Sequence, residues 1–196
     1  MFWLFSLFGF SMMGHEHRDV ALLLIALALA IIAAVFDVRQ RRIPNRLTYP
    51  GIVLGLVLRG VLLRGGRFGL NGLGSAVAGL LLAGGVMFLF YAVRAMGAGD
   101  VKLMAAVGSL VGPGHAVVVL LATAICGGVM AIGYAVYRGQ MWATVRNVAS
   151  VLRFHAWAGL QAHPELNLDN PTALRMPYGL AIAAGTLYAL LLIWWR

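Results

Sequence analysis

An all-α fold, a bundle of about six membrane-spanning helices, is predicted by three features of this sequence. Residues of the set AVILMFWYC make up 62 % of the 196 residues and 25 glycines add to them, whereas soluble domains run at about 45–50 % on a similar count. Charged residues are 11 %, against about 25 % in soluble domains. The apolar residues also fall into runs near the ~20 residues that a helix needs to cross a ~30 Å hydrocarbon core. This composition excludes a disordered chain, a collagen-like chain and an ordinary soluble domain. The single cysteine, Cys126, excludes a disulfide scaffold and a four-cysteine zinc site.

The elements follow from the runs. Val20 to Phe36 carries no charge and forms the first span. Leu47 to Leu63 is the second, weakened by Pro50 and Arg59. Asn71 to Val93, rich in Gly and Ala, is the third. A short fourth run begins near Asp100, covers Val101 to Val111 and is ended by Pro113. His115 to Tyr137 is the fifth and Tyr178 to Trp195 the sixth. Together they make a membrane-embedded domain over residues 20–196, preceded by an N-terminal apolar segment and polar linker at 1–19. Met1 to Met13 is too short to span and lacks the basic start of a signal peptide. Within 141–160, Trp142, Val145, Val148, Ala149 and Leu152 recur at helical spacing opposite Arg146 and Arg153, the pattern of an in-plane amphipathic helix.

The net charge of +9 raises nucleic acid as a partner, but its distribution excludes that reading. The 14 arginines and Lys102 sit singly or in short clusters between apolar runs, where they face anionic lipid. With the first span running inward, ten basic residues fall on the cytoplasmic side: Arg39, Arg41, Arg42, Arg46, Arg94, Lys102, Arg138, Arg146, Arg153 and Arg175. Five fall outside: Arg18, Arg59, Arg64, Arg67 and Arg196. The positive-inside rule therefore puts the C-terminal end of the first span in the cytoplasm.

Six acids remain to be explained. Glu16, Asp19, Glu165 and Asp169 lie in polar stretches, where solvation accounts for them. Asp37 directly follows the first apolar run, and Asp100 opens the fourth after Gly97-Ala98-Gly99. A carboxylate at membrane depth costs roughly 2.5–3.5 kcal/mol on insertion scales, which makes both functional candidates. Taken singly, Asp37 reads as a helix-end residue paired with Arg39 or Arg41, and Asp100 as an N-cap whose helix dipole favours the ionised form. Pro44 stops the preceding helix and starts the next, Gly97 and Gly99 permit close approach of another chain, and Lys102 reaches the headgroups or the carboxylates. Taken together on one membrane face, two carboxylates are the minimum equipment of an aspartic protease: the pair shares one proton, one member activating water and the other polarising the scissile carbonyl. Neither metal nor cofactor is needed.

At these residues the sequence resembles the type IV prepilin peptidases, membrane aspartic proteases of the GxGD kind. DVRQRRIPN at 37–45 matches the family's Asp, basic stretch and Ile-Pro-Asn, and GAGDVK at 97–102 matches GxGDxK. MPYGLAIAAG at 176–185 matches a looser Pro-Tyr-Gly feature at the start of the last span. The resemblance implies that Asp37 and Asp100 are catalytic, and that Gly97, Gly99, Lys102, Pro44 and Asn45 shape the site or bind substrate. It implies cleavage of the short basic leader from prepilins or pseudopilins, ahead of their hydrophobic helix, at the cytoplasmic face of the plasma (inner) membrane. Larger members carry paired CxxC motifs and methylate the new N-terminus. Cys126 stands alone here, so no methyltransferase activity is expected, and the size resembles the peptidases of tight-adherence (Flp) pilus systems or archaeal preflagellin peptidases, the bacterial kind being favoured. The presenilin branch of GxGD proteases fits less well, since Phe36 precedes Asp37 where that branch has Tyr and no Pro-Ala-Leu follows.

Other features carry less. His15-Glu16-His17 lacks further ligands for a metal, and GGRFGLNGLG at 65–74 lacks the GK[ST] of a P-loop. His115, His155 and His163 sit near predicted helix boundaries. Gly51 with Gly55 and Gly108 with Gly112 allow close helix packing, within the chain or in an oligomer. The rival readings are a small proton-coupled transporter, since buried acids also carry protons, and a non-catalytic subunit of a pilus or secretion machine.

Overall fold

A computed structural model describes residues 16–62, 72–159, 161 and 176–195, and all six helices among them pack without any strand. The apolar segment at 1–13, His15, most of the glycine-rich run at 65–74, His163, Glu165 and Asp169 lie outside the described residues. The helices are α1 (Glu16–Gln40), α2 (Asn45–Leu62), α3 (Gly72–Ala92), α4 (Ala98–Tyr137), α5 (Met141–Ala158) and α6 (Tyr178–Trp194). Stretches within α1 (Arg18–Gln40), α3 and α4 are long and apolar enough to cross a membrane, and α6 is a shorter apolar helix. The predicted membrane bundle is therefore present.

The bundle is apolar both within and on its outer faces. Its core mixes large side chains such as Leu22, Leu103, Met104 and Ile182 with small ones that let helices approach: Ala26, Ala30 and Ala33 of α1 and Ala83 of α3 are fully buried. Other large ones such as Ile31, Leu81, Leu121 and Ile125 face outward. Without a hydrophobic force between helices in lipid, close backbone approach is what holds them. Gly79 of α3 and Gly108 of α4 meet backbone to backbone, and a Cβ on either would run into the other's carbonyl oxygen. Gly51 and Gly55 lie against Leu29, Ala106 and Ser109, so both predicted small-residue pairs serve packing within the chain.

Helix α4 organises the rest. Its residues Leu103 to Gly112 are all buried, and it packs against α1, α2, α3 and α6. The predicted fourth and fifth spans are its two halves, broken at Gly112, which has φ 73° and ψ 173°. That region of backbone space is essentially reserved for glycine, and Pro113 after it supplies no N–H to continue the ladder. The break reverses the chain. Asp100 and Gly127 both adjoin Tyr178 of α6, although a straight helix would hold them ~40 Å apart.

A buried cluster closes the far end of the bundle. Arg59 of α2 is 6 % exposed and faces Asp19 of α1, 7 % exposed, at 3.7 Å. Its guanidinium donates to Ser75 Oγ at 3.0 Å and to the carbonyl of Leu110 at 2.9 Å. The Leu110 carbonyl belongs to the last turn before the break, where helical partners run out and a cation is favoured. This corrects two expectations. Asp19 is paired in the core rather than solvated, and Arg59 is an interior residue rather than a loop charge, because the interrupted α4 needs a buried donor.

Two boundaries also shift. Pro44 does not end α1; Arg41, with φ 50°, ends it in the left-handed conformation three residues earlier. Helix α2 accommodates Pro50 as its sixth residue, giving up one intrahelical hydrogen bond there. The segment expected as an in-plane helix is helical from Met141 to Ala158 and touches the bundle lightly through α4, with Trp142, Val145 and Val148 exposed.

Candidate active site

Four chain ends meet at the other end of the bundle: the last turn of α1, the first turns of α2, α4 and α6. Asp37 lies inside α1, one turn before its end, and is 8 % exposed. Its Oδ2 accepts a 2.8 Å hydrogen bond from the backbone N–H of Gly179, the second residue of α6 and 142 positions away in sequence. Asp100 is half-buried in the first turn of α4. It does not cap that helix as expected. Gly97, with extended φ −79° and ψ 149°, is the N-cap, and Asp100 stands three residues in, its Oδ2 accepting from Gly97 N–H at 3.3 Å. This is one half of a capping box, the carboxylate of the third residue reaching back to the N-cap amide.

The two carboxylates, 63 residues apart in sequence, are close enough for Asp37 to act electrostatically on Asp100. Both are held by neutral backbone amides.

The remaining predicted residues assemble around them. Gly99 lies against Ile43 of the α1–α2 loop, where an added Cβ would come within 3.1 Å of the Ile43 Cβ. The Ile-Pro-Asn loop is thereby seated on the start of α4. The Pro44 carbonyl accepts from Leu47 N–H at 3.0 Å as α2 begins. Lys102 reaches across to α2, donating to Asn45 Oδ1 at 2.9 Å with its ammonium 4.9 Å from the centre of the Tyr49 ring. The two motifs are thus joined by a side-chain bond at the rim. Among the described residues no group of three His, Cys, Asp or Glu could hold a metal ion.

Tyr178 is the neighbour that the residue chemistry alone did not single out. Its ring lies against Gly127, where a Cβ would approach ring Cε2 to 2.9 Å, and its hydroxyl is within electrostatic range of Asp100 and Cys126. The signal available in the sequence was the Pro-Tyr-Gly that opens the last apolar run. Arg39, Arg41, Arg42, Arg46 and Arg94 belong to the same end, in the last turn of α1, the loop after it, the start of α2 and the turn after α3.

Comparison with known proteins bears on this arrangement. The model of the type IV leader peptidase family matches residues 23–132, more than half of the chain. The match contains both aspartates, the Ile-Pro-Asn loop and the GAGDVK turn. Comparison with curated proteins and with solved structures gives no match.

Proposed function

The chain belongs to the type IV leader peptidase family, and from this premise we propose that it is an integral-membrane aspartic endopeptidase whose catalytic pair is Asp37 and Asp100. The observation that carries this reading is that these two carboxylates, from α1 and α4, lie at one end of a membrane bundle within electrostatic range of each other. Solvation does not account for either, and neither is spent in the ion pair that occupies the other end.

In the proposed reaction the pair holds one proton between its members. The ionised carboxylate takes a proton from a water molecule, and that water attacks the scissile carbonyl. The protonated carboxylate donates to the carbonyl oxygen as it becomes an oxyanion. Collapse of the tetrahedral intermediate then returns a proton to the leaving amine, and the pair is restored. Backbone amides of Gly179 and Gly97 hold one oxygen of each carboxylate, which fixes their orientation without a counter-charge that would quench the base.

The substrate we assign is a prepilin-like protein of the Flp type, cut between its short basic leader and its hydrophobic helix. The hydrophobic helix suits a bundle whose outer faces carry Ile31, Leu81 and Leu121. The arginine-rich end gathers anionic headgroups and makes this face cytoplasmic under the positive-inside rule. Helix α5 lies in the same interface, its exposed Trp142, Val145 and Val148 toward lipid.

Co-expression with a tagged Flp-type prepilin tests the reading, with leader removal read by mass. Wild type cleaves, and Asp37→Asn and Asp100→Asn each lose at least ~10²-fold, the typical contribution of one acid–base group. Full activity in either single variant removes that residue from the mechanism. Proton flux into liposomes that Asp37→Asn abolishes, without cleavage by wild type, gives the transporter reading instead.

A further inference from the structure

Helix α6 begins without a cap of its own. Its N-cap residue is Pro177, with φ −72° and ψ 88°, whose own side chain makes no hydrogen bond to the first turn. Helix N-termini leave their first N–H groups without intrahelical partners, and a Ser, Thr, Asp or Asn at the cap ordinarily takes one of them. Here the amide of Gly179 instead points across to α1 and bonds Asp37 Oδ2 at 2.8 Å in a buried setting. Asp37 therefore serves as the capping side chain of a helix to which it does not belong.

The fit at Gly179 admits no side chain without displacement. An added Cβ would lie 3.1 Å from Asp37 Oδ2 and 3.2 Å from both Asp37 Cβ and Ala34 Cα. The neighbouring Tyr178 fills the gap on the other side, its ring on Gly127 and its hydroxyl near Asp100. One dipeptide thus touches the surroundings of both carboxylates.

We propose that the Pro177-Tyr178-Gly179 turn positions the aspartate pair: Gly179 N–H orients Asp37, Tyr178 braces the Asp100 side against Gly127, and Pro177 keeps a competing cap away from the Gly179 amide. The proposal rests on the reading of Asp37 and Asp100 as the catalytic pair. These three are positioning residues, since none need touch the scissile bond.

Purified enzyme in lipid, acting on a prepilin substrate, separates positioning from mere packing. Gly179→Ala lowers kcat by roughly 10–10²-fold, the scale of a misplacement of about 1 Å, and leaves KM within about twofold. Gly185→Ala, on α6 about two turns from Gly179, is the packing control, because a Cβ there would strike Thr123 and the Val119 carbonyl of α4. It lowers thermal stability with kcat within about threefold of wild type at temperatures where it is folded. Pro177→Ser supplies a hydroxyl that competes for the Gly179 amide. It keeps or raises thermal stability and lowers kcat about tenfold, an opposition that a purely structural role does not produce. Equal kcat losses in Gly179→Ala and Gly185→Ala at matched stability overturn the proposal, as does wild-type kcat in both Gly179→Ala and Pro177→Ser. If Asp37→Asn is dead while those two variants are fully active, the protease reading stands and the positioning proposal falls. If Asp37→Asn cleaves at the wild-type rate, both fall.

Discussion

Replacing Arg59 by methionine tests what holds the bundle closed. The substitution roughly keeps volume and removes the charge. It strands Asp19, 7 % exposed, in the core, and takes donors from Ser75 Oγ and the Leu110 carbonyl. Removing one partner of a buried pair costs about 3–5 kcal/mol, because the remaining charge has lost both water and its partner. For a chain of this length about 1 kcal/mol corresponds to about 2–4 °C, so Arg59→Met melts about 6–20 °C below wild type. Asp19→Asn added to Arg59→Met removes the stranded charge. What remains is the unpaired Leu110 carbonyl and Ser75 hydroxyl, about 1–3 kcal/mol for a buried polar group. The double variant is therefore the more stable of the two. Cys126, the single cysteine, allows melting to be followed by a thiol-reactive fluorophore in lipid or mild detergent. Asp19 and Asp37 sit ~27 Å apart along α1, so Arg59→Met keeps wild-type kcat below its melting point. A melting point within about 2 °C of wild type would refute the reasoning, and so would a double variant less stable than Arg59→Met.

The other predictions use the same assays. Gly112→Ala destabilises by at least about 1–3 kcal/mol, because φ 73° with ψ 173° excludes a side chain and an added Cβ would meet the Arg59 guanidinium; unchanged melting removes the break as a fixed feature. Lys102→Met and Asn45→Leu each cost at most about 1 kcal/mol, their bond being exposed, and their double-mutant coupling is below that figure; larger coupling would show a desolvated pair. Arg94→Gly relieves a left-handed residue with φ 57° and raises stability by roughly 1 kcal/mol, where a loss would mean that the arginine side chain matters more than its backbone.

Much of this was legible in the sequence because membrane physics leaves few options. Apolar runs near the length of a span read as helices, and the structure gives helices over each of them. Gly112-Pro113 read as an end to the fourth run, since proline cannot continue a helix, and the break lies there. Asp37 and Asp100 stood out by cost alone, as acids at the edges of apolar runs. The burial of Asp19 was hidden because its neighbours Glu16, His17 and Arg18 make the stretch look solvated. The signal was there in Arg59, a lone cation inside an apolar run: it requires an anion, and the predicted topology put Asp19 on its side of the membrane. An Asp beside a glycine pair suits N-cap and third position alike, so the capping of α4 is decided by Gly97 being extended. Gly179 could not be assigned from spacing, since the bond it makes is carried by a backbone amide 142 residues from its acceptor.

Helix α1 sets the two chemistries side by side. It carries one aspartate near each end, and the molecule treats them in opposite ways. Asp19 is given a cation, Arg59, itself bonded to the end of a broken helix. That ion pair ties α1 to α2, which suits a fixed closure. Asp37 is given an amide, Gly179, and a second carboxylate, Asp100, close by. The amide orients it without supplying a counter-charge, and in the proposed reaction this is the end at which a proton moves. The difference lies in the partners, not in the depth of burial, because Asp19 and Asp37 are buried alike.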